Sequence, residues 1–332
     1  MSAPSSTPIP DPAAIRARGI SKTYLGDVVA LAPLDIDLEP GTTTALIGHN
    51  GSGKTTLLRI LAGVVAPDTG RVELLGGHGP DRTRWRSSVG YIEQDTALDP
   101  EMTGQDTLRL FGVLYGLSPR QSRVRAAELA EVFDLAEHAQ RPVATWSGGL
   151  RRRLHIAVGL VPRPGLMLLD EPTVGLDADA RDRLWEILAE RVTAGCGVTI
   201  ATHDLEEAAR RCDRVGVLDG GRLVALDDPA ALIARHGGPR LALRVDPAPR
   251  DPQALRLAIE ALPGVRRCAI DRRQIWVIGE QLETNAPRVL ALVEGHDLHA
   301  LHERHERADL ASVYANLTGR GATPNEHGAP PR

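Results

Sequence analysis

The chain has 332 residues and a formal net charge of −4, and 42% of its residues are hydrophobic. This length and apolar content suffice for one large α/β domain and a smaller second one. The slightly acidic balance gives no electrostatic reason to expect nucleic acid as a partner. No apolar run reaches the roughly 18 residues that a membrane span needs, so we expect a cytoplasmic protein, and any membrane role would have to come through a partner.

Both ends of the chain have compositions typical of disordered tails. Residues 1–13 are rich in Pro and Ser, and residues 321–332 are rich in Gly and Pro. Cys196, Cys212 and Cys268 are scattered and form no C-x-x-C pair. We therefore expect buried or idle thiols in a reducing compartment rather than disulfides or a zinc site.

The first strands are predicted on either side of a turn at Gly26-Asp27. Residues 15–20 and 28–38 carry strand-like apolar positions. Tyr24 lies between them in a polar stretch where packing does not require a ring. Its ring could stack on a nucleobase or could cap a strand edge, and the local sequence leaves both open.

A glycine-rich loop follows a short apolar run at residues 43–47, which is predicted to be a buried strand. Residues 48–55 fit the pattern G-x-x-x-x-G-K-[ST], and leucines at helical spacing come next. The N–H groups of such a loop, with the helix N-terminus, converge on a polyphosphate. Lys54 can reach the β- and γ-phosphates, and the Thr55 hydroxyl can ligate Mg²⁺. Lys54 is one of only two lysines in the chain, which suggests that this position requires a compact ammonium.

Further elements are predicted downstream of the loop. Residues 70–75 and 89–94 have the composition of strands, and residues 103–136 favour two helices joined at Ser118-Pro119. This predicts a helical insertion in an α/β core. Residues 147–149, Ser-Gly-Gly, precede a long helix, where they could bind an anion or act only as an N-cap.

Two carboxylates and a histidine follow later strands. An apolar run at residues 166–169 ends in Asp170 and Glu171. Asp170 suits a Mg²⁺ shell, and Glu171, expected on the opposite side of the strand, can take a proton from water. Pro172 also allows a solvated turn here. Residues 175–177 begin a predicted helix that runs to about residue 192. His203 comes directly after a predicted strand at residues 198–202. It could contact a phosphate there, although a histidine at a strand end is more often structural.

A break at Gly237-Gly238-Pro239 predicts a domain boundary, after two short strands and a helix at 229–235. Residues 240–320 favour the order βαββαβ, with a last strand at 297–301, and thus a small ferredoxin-like domain followed by a helix at 308–317. Histidines recur every third residue at 296, 299, 302 and 305. On a strand this spacing alternates between faces, which argues against a shared metal.

Taken in order, these motifs resemble the ATP-binding subunit of an ABC transporter over about residues 14–237. The resemblance identifies residues 48–55 as the Walker A loop, Gln94 as the Q-loop glutamine and residues 147–149 as the family signature. It identifies residues 167–171 as Walker B with its glutamate, residues 175–177 as the D-loop, His203 as the switch histidine and Tyr24 as the ring that stacks on adenine.

Two further stretches resemble the ABC-2 type drug-resistance exporters, which are daunorubicin-resistance-like. Residues 146–154, WSGGLRRRL, are similar to the form YSGGMRRRL and differ from the commoner LSGGQ at Leu150. Residues 308–320 resemble the L-E-D-V-F-L-x-L-T-G-R ending of the same group. The implied function is ATP hydrolysis that drives export of a drug, antibiotic or other hydrophobic compound; the alternative is a non-transport ABC ATPase acting on nucleic acid or ribosomes.

The implied fold is a P-loop NTPase core of the ABC type at residues 14–237, with a helical subdomain at about 95–160, plus an α+β ferredoxin-like domain at 240–320. The implied setting is peripheral, on the cytoplasmic face of the cell membrane, with an ABC-2 type permease as partner, a homodimer or heterodimer of ATP-binding subunits, and no nucleic acid. The implied cofactors are ATP and Mg²⁺. The implied catalytic residues are Glu171, His203, Lys54 and Gln94; the Mg²⁺ ligands are Thr55, Gln94 and Asp170; the ATP contacts are Tyr24, Gly48, His49, Asn50, Gly51, Ser52, Gly53, Lys54, Thr55, Thr56, Gln94, Ser147, Gly148, Gly149 and Asp177.

Overall fold

The computed structural model describes residues 14–75, 85, 88–94, 98–280 and 282–319. The predicted tails and residues 95–97 of the predicted helical subdomain lie outside the described residues. The elements in chain order are β1 (Ala14–Tyr24), β2 (Val28–Leu38), β3 (Thr43–Ile47), α1 (Lys54–Leu61), β4 (Thr69–Leu75), β5 (Val89–Ile92), α2 (Gly104–Leu114), α3 (Pro119–Val132), a 3₁₀ turn (Val143–Thr145), α4 (Gly148–Gly159), β6 (Leu166–Asp170), α5 (Ala178–Thr193), β7 (Gly197–Thr202), α6 (Leu205–Arg211), β8 (Arg214–Asp219), β9 (Arg222–Asp227), α7 (Pro229–His236), β10 (Arg240–Asp246), α8 (Pro252–Glu260), β11 (Val265–Asp271), β12 (Gln274–Gly279), α9 (Leu282–Gly295), β13 (His299–Glu306) and α10 (Leu310–Thr318).

The central sheet has six strands in the order β5-β6-β7-β3-β8-β9. Neighbours from β5 to β8 are parallel, and every residue of β3, β6 and β7 is buried. Continuous apolar runs form such strands because both faces of a parallel sheet are covered. The carboxyl ends of β5, β6, β7 and β3 therefore meet at one edge, where open α/β sheets bind ligands.

A three-stranded antiparallel sheet in the order β2-β1-β4 is formed by the N-terminal hairpin and the strand after α1. The hairpin turn contains Gly26 and Asp27, both with positive φ, as the sequence predicted for a turn. Strand β2 is tied to the end of the central sheet, since the Ala32 N–H donates to the Gly221 carbonyl at 2.9 Å. The hairpin is thereby fixed beside the loop that follows β3.

The predicted helix pair appears as α2 and α3. Ser118 caps α3 in a capping box with Gln121, and Pro119 occupies the first turn. The two helices touch closely, because a Cβ added at Gly112 would lie 2.3 Å from the Ser122 Oγ. This prediction of two helices joined at Ser118-Pro119 is confirmed.

The chain forms two compact units. One contains the described residues up to His203 together with Arg211–Leu223, and the other contains Asp204–Arg210 and the described residues from Val224 onward. The division falls within β9, so the boundary that the sequence suggested at residue 237 stays a prediction.

The second unit contains a four-stranded sheet in the order β11-β12-β10-β13, with antiparallel neighbours. With α8 and α9 this is the βαββαβ arrangement of a ferredoxin-like sandwich. Its core is apolar and includes Leu241, Leu243, Val245, Ile275 and Val277. The sequence placed its last strand at 297–301, and this extent was wrong: β13 continues to Glu306. Strand β13 lies at an exposed edge of the sheet and consists mostly of polar residues, so no apolar pattern in the sequence marks its full length.

Two remaining sequence predictions concern the membrane and the thiols. Among the described residues, no helix combines the length and apolarity needed to cross a membrane. The three cysteines are buried, as expected, and none of them is in a disulfide with another described cysteine. Burial raises the pKa of the Cys196 and Cys268 thiols to about 12, so neither is a nucleophile at neutral pH.

Candidate functional site

The loop between β3 and α1 requires glycine at defined positions. Gly53 has φ +106°, and a Cβ there would lie 2.6 Å from the Ala30 carbonyl oxygen of β2. At Gly48 a Cβ would lie 2.5 Å from the Leu218 carbonyl oxygen. The loop is thus wedged between the hairpin and the end of β8, and its glycines keep the backbone exposed on the remaining side.

Two polar groups of the loop are placed where they can donate hydrogen bonds to an anion. The Lys54 side chain is buried, and its ammonium donates to the carbonyls of Gly48 at 2.7 Å and His49 at 3.2 Å. One N–H is left for a ligand, since an ammonium has three. The Ser52 hydroxyl is buried and makes no hydrogen bond with any described residue. Burial lowers the pKa of Lys54, and the carboxylates of Glu171 and Asp170 oppose this shift. A polyphosphate fits this arrangement of donors.

Thr55 and Asp170 bring oxygen ligands together from α1 and β6. The Thr55 Oγ1 donates to the Asp170 Oδ2 at 2.6 Å, although 115 residues separate them in the sequence. Asp170 is 2% exposed, and this burial raises the pKa of its carboxyl group against the lowering effect of the Thr55 hydrogen bond. A hydroxyl and a carboxylate beside a phosphate-binding loop are the ligand types that Mg²⁺ prefers.

Glu171 and His203 form the second polar pair at this sheet edge. The His203 Nδ1 lies 2.9 Å from the Glu171 Oε2, and it donates because a carboxylate only accepts. Glu171 is buried, and its backbone has φ +47°. The expectation that Glu171 continues the strand on its opposite side was therefore wrong, because β6 ends at Asp170 and the chain turns at Glu171. The Glu171 N–H still donates to the Ala201 carbonyl of β7 at 2.9 Å.

A buried arginine at this edge was missed by the sequence reasoning. Arg152 lies on α4, and its guanidinium donates to the carbonyls of Glu93 and Gln94 after β5 and to those of Asp170, Glu171 and Pro172 at the end of β6. A signal exists in the sequence: Arg152 precedes the buried Ile156 by four residues, so it lies on the buried face of the helix. The Gln94 side chain is exposed beside this contact.

The remaining predicted ligand residues lie in other environments. Tyr24 is 41% exposed at the end of β1. Ser147 caps α4 by accepting from the Leu150 N–H at 3.2 Å, and Asp177 caps α5 by accepting from the Ala180 N–H at 2.8 Å. A Cβ at Gly148 or Gly149 would meet no atom within 4 Å, so this helix start is open. The ATP contacts expected of these residues stay predictions.

Three other residues of the loop region were also predicted to contact ATP. The His49 Nδ1 lies 2.6 Å from the Asn50 carbonyl oxygen, and its Nε2 lies 3.2 Å from an Asp219 carboxylate oxygen. The ring thus links the start of the loop to the end of β8. Thr56 is half-buried in the first turn of α1. No hydrogen bond among the described residues tests the roles of these three side chains.

Comparison with known proteins agrees with this site. The ABC transporter family model matches residues 31–174. The daunorubicin resistance ATP-binding protein DrrA3 of Streptomyces coeruleorubidus is 39% identical over 92% of this chain and 96% of its own length. The Nod factor export ATP-binding protein I of Paraburkholderia xenovorans is 38% identical over 93% of this chain and 98% of its own length. A dimeric ATP-binding cassette in a post-hydrolysis state, bound to ADP and Pi, has 25% identity and a TM-score of 0.59, covering 64% of this chain and 98% of its own.

These relatives confirm the resemblance drawn from the motifs and give no support to the alternative of a non-transport ATPase. Their full-length coverage includes the second unit as well as the nucleotide-binding core. The chain belongs to the ABC transporter family, among the ATP-binding subunits of its exporters, and it is an ATPase.

Proposed function

We propose that this ATPase drives export of a drug, antibiotic or other hydrophobic compound through a separate ABC-2 type permease. It acts at the cytoplasmic face of the membrane, bound to that permease. The support is that the chain spans nearly the whole length of relatives named for daunorubicin resistance and Nod factor export.

The proposed hydrolysis uses the two polar pairs at the sheet edge. The loop N–H groups and Lys54 hold the β- and γ-phosphates, and Tyr24 stacks on the adenine. Glu171 takes a proton from water as the water oxygen bonds to the γ-phosphorus and the bond to the ADP oxygen breaks. His203, which donates to the Glu171 carboxylate at 2.9 Å, orients that carboxylate and contacts the γ-phosphate. The hydrogen bond between His203 and Glu171 is the observation that carries the proposed mechanism.

Thr55, Asp170 and Gln94 would hold Mg²⁺. The hydrogen bond of 2.6 Å between Thr55 and Asp170 supports the first two ligands. When bound, Mg²⁺ supplies positive charge against the β- and γ-phosphate oxygens. The chain's own contribution is to keep these ligands at one sheet edge, next to Lys54.

The proposed working unit is a pair of ATP-binding subunits. Ser147 and Gly149 stand at an open helix start, which suits the terminal phosphate of ATP held by a second subunit. ATP then joins the two subunits, and hydrolysis releases them. Because this one chain contains every motif, two copies of it could form a homodimer. If the purified protein does not pair with itself in the presence of ATP, the working unit is a heterodimer.

The test of the hydrolytic site is Glu171→Gln, with the exposed Glu137→Gln as control. Removing the base is expected to lower turnover by about 100- to 10,000-fold. Mg-ATP binding should persist, so size-exclusion chromatography should show an ATP-bound dimer. Turnover of Glu171→Gln equal to that of the control would remove Glu171 from the role proposed here.

The test of export uses vesicles that contain a candidate permease, sought in the neighbouring reading frame as a protein with about six hydrophobic spans. ATP-dependent uptake of a labelled hydrophobic compound into inverted vesicles supports the proposal. The Glu171→Gln protein serves as the control for uptake without hydrolysis. Co-purification with nucleic acid, and no stimulation of turnover by the permease, would contradict it.

A further inference from the structure

The guanidinium of Arg152 has all five of its N–H groups occupied by main-chain carbonyls. Nη1 donates to Glu93 at 2.8 Å and Gln94 at 2.9 Å, and Nη2 donates to Asp170 at 2.8 Å and Glu171 at 2.9 Å. Nε donates to Pro172 at 3.3 Å. The residue is 6% exposed. This is a full set, since a guanidinium has five donors.

Only arginine can make this set of contacts. A lysine ammonium has three donors and a glutamine amide has two, so either would leave buried carbonyls without a partner. The planar fork also fixes the directions of the acceptors, which a single ammonium does not. Burying a cation is unfavourable unless hydrogen bonds compensate for its lost hydration. The site therefore combines a large desolvation penalty with a complete set of acceptors.

The carbonyls that Arg152 binds come from two separate parts of the site. Two of them follow β5, where the predicted Q-loop glutamine Gln94 lies, and three belong to the last residue of β6 and the two residues after it, where Glu171 lies. Arg152 itself stands on α4, whose first residues are the open Ser-Gly-Gly start. One side chain thus joins the two strand ends to the helix that is proposed to meet the second subunit.

The three β6-side contacts surround a strained position. Glu171 has φ +47°, a region that non-glycine residues rarely adopt and that persists only where neighbours enforce it. Arg152 binds the carbonyls of residues 170, 171 and 172, and so fixes both peptide units of Glu171. With the main chain held in this way, the Glu171 carboxylate accepts the hydrogen bond from His203.

We propose that Arg152 is a positioning residue for hydrolysis, whose guanidinium locks the main chain at Glu171 and Gln94 to helix α4. A shift of α4 when two subunits pair then moves the base and the Q-loop together. This inference rests on the proposed role of Glu171.

The test compares Arg152→Lys with Arg153→Lys. Arg153, the next residue on α4, contacts the Phe133 carbonyl at 3.1 Å and lies 3.8 Å from Asp134, away from both strand ends. Misplacing a reacting group by about 1 Å can cost on the order of 100-fold in rate, so we expect that loss in kcat for Arg152→Lys. KM for ATP should stay unchanged, because the phosphate-binding loop is not touched. Arg153→Lys should keep both parameters.

Hydrogen exchange supplies a readout that a general loss of stability would not produce. In Arg152→Lys, the amides of residues 88–94 and 166–174 should exchange faster, while those of β10 to β13 should not change. Turnover of Arg152→Lys equal to that of Arg153→Lys would overturn the proposal. So would an exchange increase spread over the whole chain.

A second variant keeps the test decisive if Arg152→Lys is poorly folded. Added guanidinium ion, below denaturing concentration, should restore turnover to Arg152→Ala but not to Glu171→Gln. Absence of rescue in Arg152→Ala would overturn the proposal. If Glu171→Gln hydrolyses ATP normally, the proposed role of Glu171 is wrong and this inference falls with it. If Glu171→Gln is inactive while Arg152→Lys is fully active, only the inference about Arg152 is wrong.

Discussion

Two buried arginines, one in each compact unit, are held in different ways. Arg240 opens β10 in the second unit, and its guanidinium faces the carboxylates of Glu306 and, at 3.2 Å, Asp309. Arg152 in the first unit instead donates to five main-chain carbonyls around the sheet edge. The first arrangement neutralises a charge between two structural elements, whereas the second uses a charge to organise the backbone of the candidate site.

Five other buried polar groups show a similar contrast. In the first unit, Lys54, Asp170 and Glu171 are 2% to 7% exposed and lie together at the carboxyl edge of the parallel sheet. In the second unit, the buried Ser312 belongs to the capping box of α10, and Asn285 donates to the Pro263 carbonyl. These two buried groups of the second unit therefore complete a helix end and a turn, whereas the three of the first unit are those proposed to carry the chemistry.

The strongest test of this contrast is Lys54→Met. The ammonium is the cation proposed for the phosphates, and loss of one such stabilising donor costs about 100- to 1,000-fold in turnover. Steady-state ATP hydrolysis measures the loss, and circular dichroism should show that the fold is kept. Lys22→Met is the matched control, because Lys22 is the other lysine of the chain and pairs with Asp68 near the surface. An equal loss in both variants would contradict a special role for Lys54.

A smaller effect is expected for Arg240→Met in the second unit. The variant removes a buried cation, but Glu306 and Asp309 are 31% and 45% exposed at their side chains and can be hydrated once it is gone. We therefore expect the free energy of unfolding to fall by about 1–2 kcal/mol, less than for a fully buried pair. Denaturant titration measures this value. ATP turnover should remain that of the wild type, and a loss of turnover would contradict the contrast between the two arginines.

The parts of the site that sequence reasoning found are those encoded in short segments. Residues 48–55 specify their own loop, because the glycines and Lys54 are neighbours in the chain. Asp170 and His203 were proposed because each follows an apolar run typical of a buried strand, and the order of β6 and β7 as neighbours then brings them to the same edge. Local patterns also gave the two helices around Ser118 with nearly the observed bounds.

The parts that sequence reasoning missed depend on distant contacts. The Arg152 guanidinium binds carbonyls up to 59 residues away, and no local pattern states which helix face meets which strand end. The turn at Glu171 was mistaken for a continued strand because a left-handed φ in a non-glycine residue is enforced by tertiary contacts. The full length of β13 was missed because its pairing with β10 passes through charged residues.

The smallest expected effect concerns two N-cap residues, one in each unit, that make the same kind of hydrogen bond. Ser147 caps α4 in the first unit, and Asp251 caps α8 in the second, each by accepting from a main-chain N–H three residues on. Replacement of either by alanine should lower the free energy of unfolding by about 1 kcal/mol, as is usual for an N-cap. The proposed role of Ser147 at the phosphate of a second subunit adds a difference that stability does not report.

Pairing of the subunits measures that difference. In the Glu171→Gln background, Asp251→Ala should leave the ATP-induced dimer intact, because no phosphate contact is proposed for Asp251. Ser147→Ala should raise the ATP concentration needed for half-maximal dimer, as followed by analytical ultracentrifugation, since a phosphate loses one hydroxyl donor. If both variants dimerise at the same ATP concentration, Ser147 acts only as a helix cap. The proposed difference in role between buried or capping polar groups of the two units would then not include their N-caps.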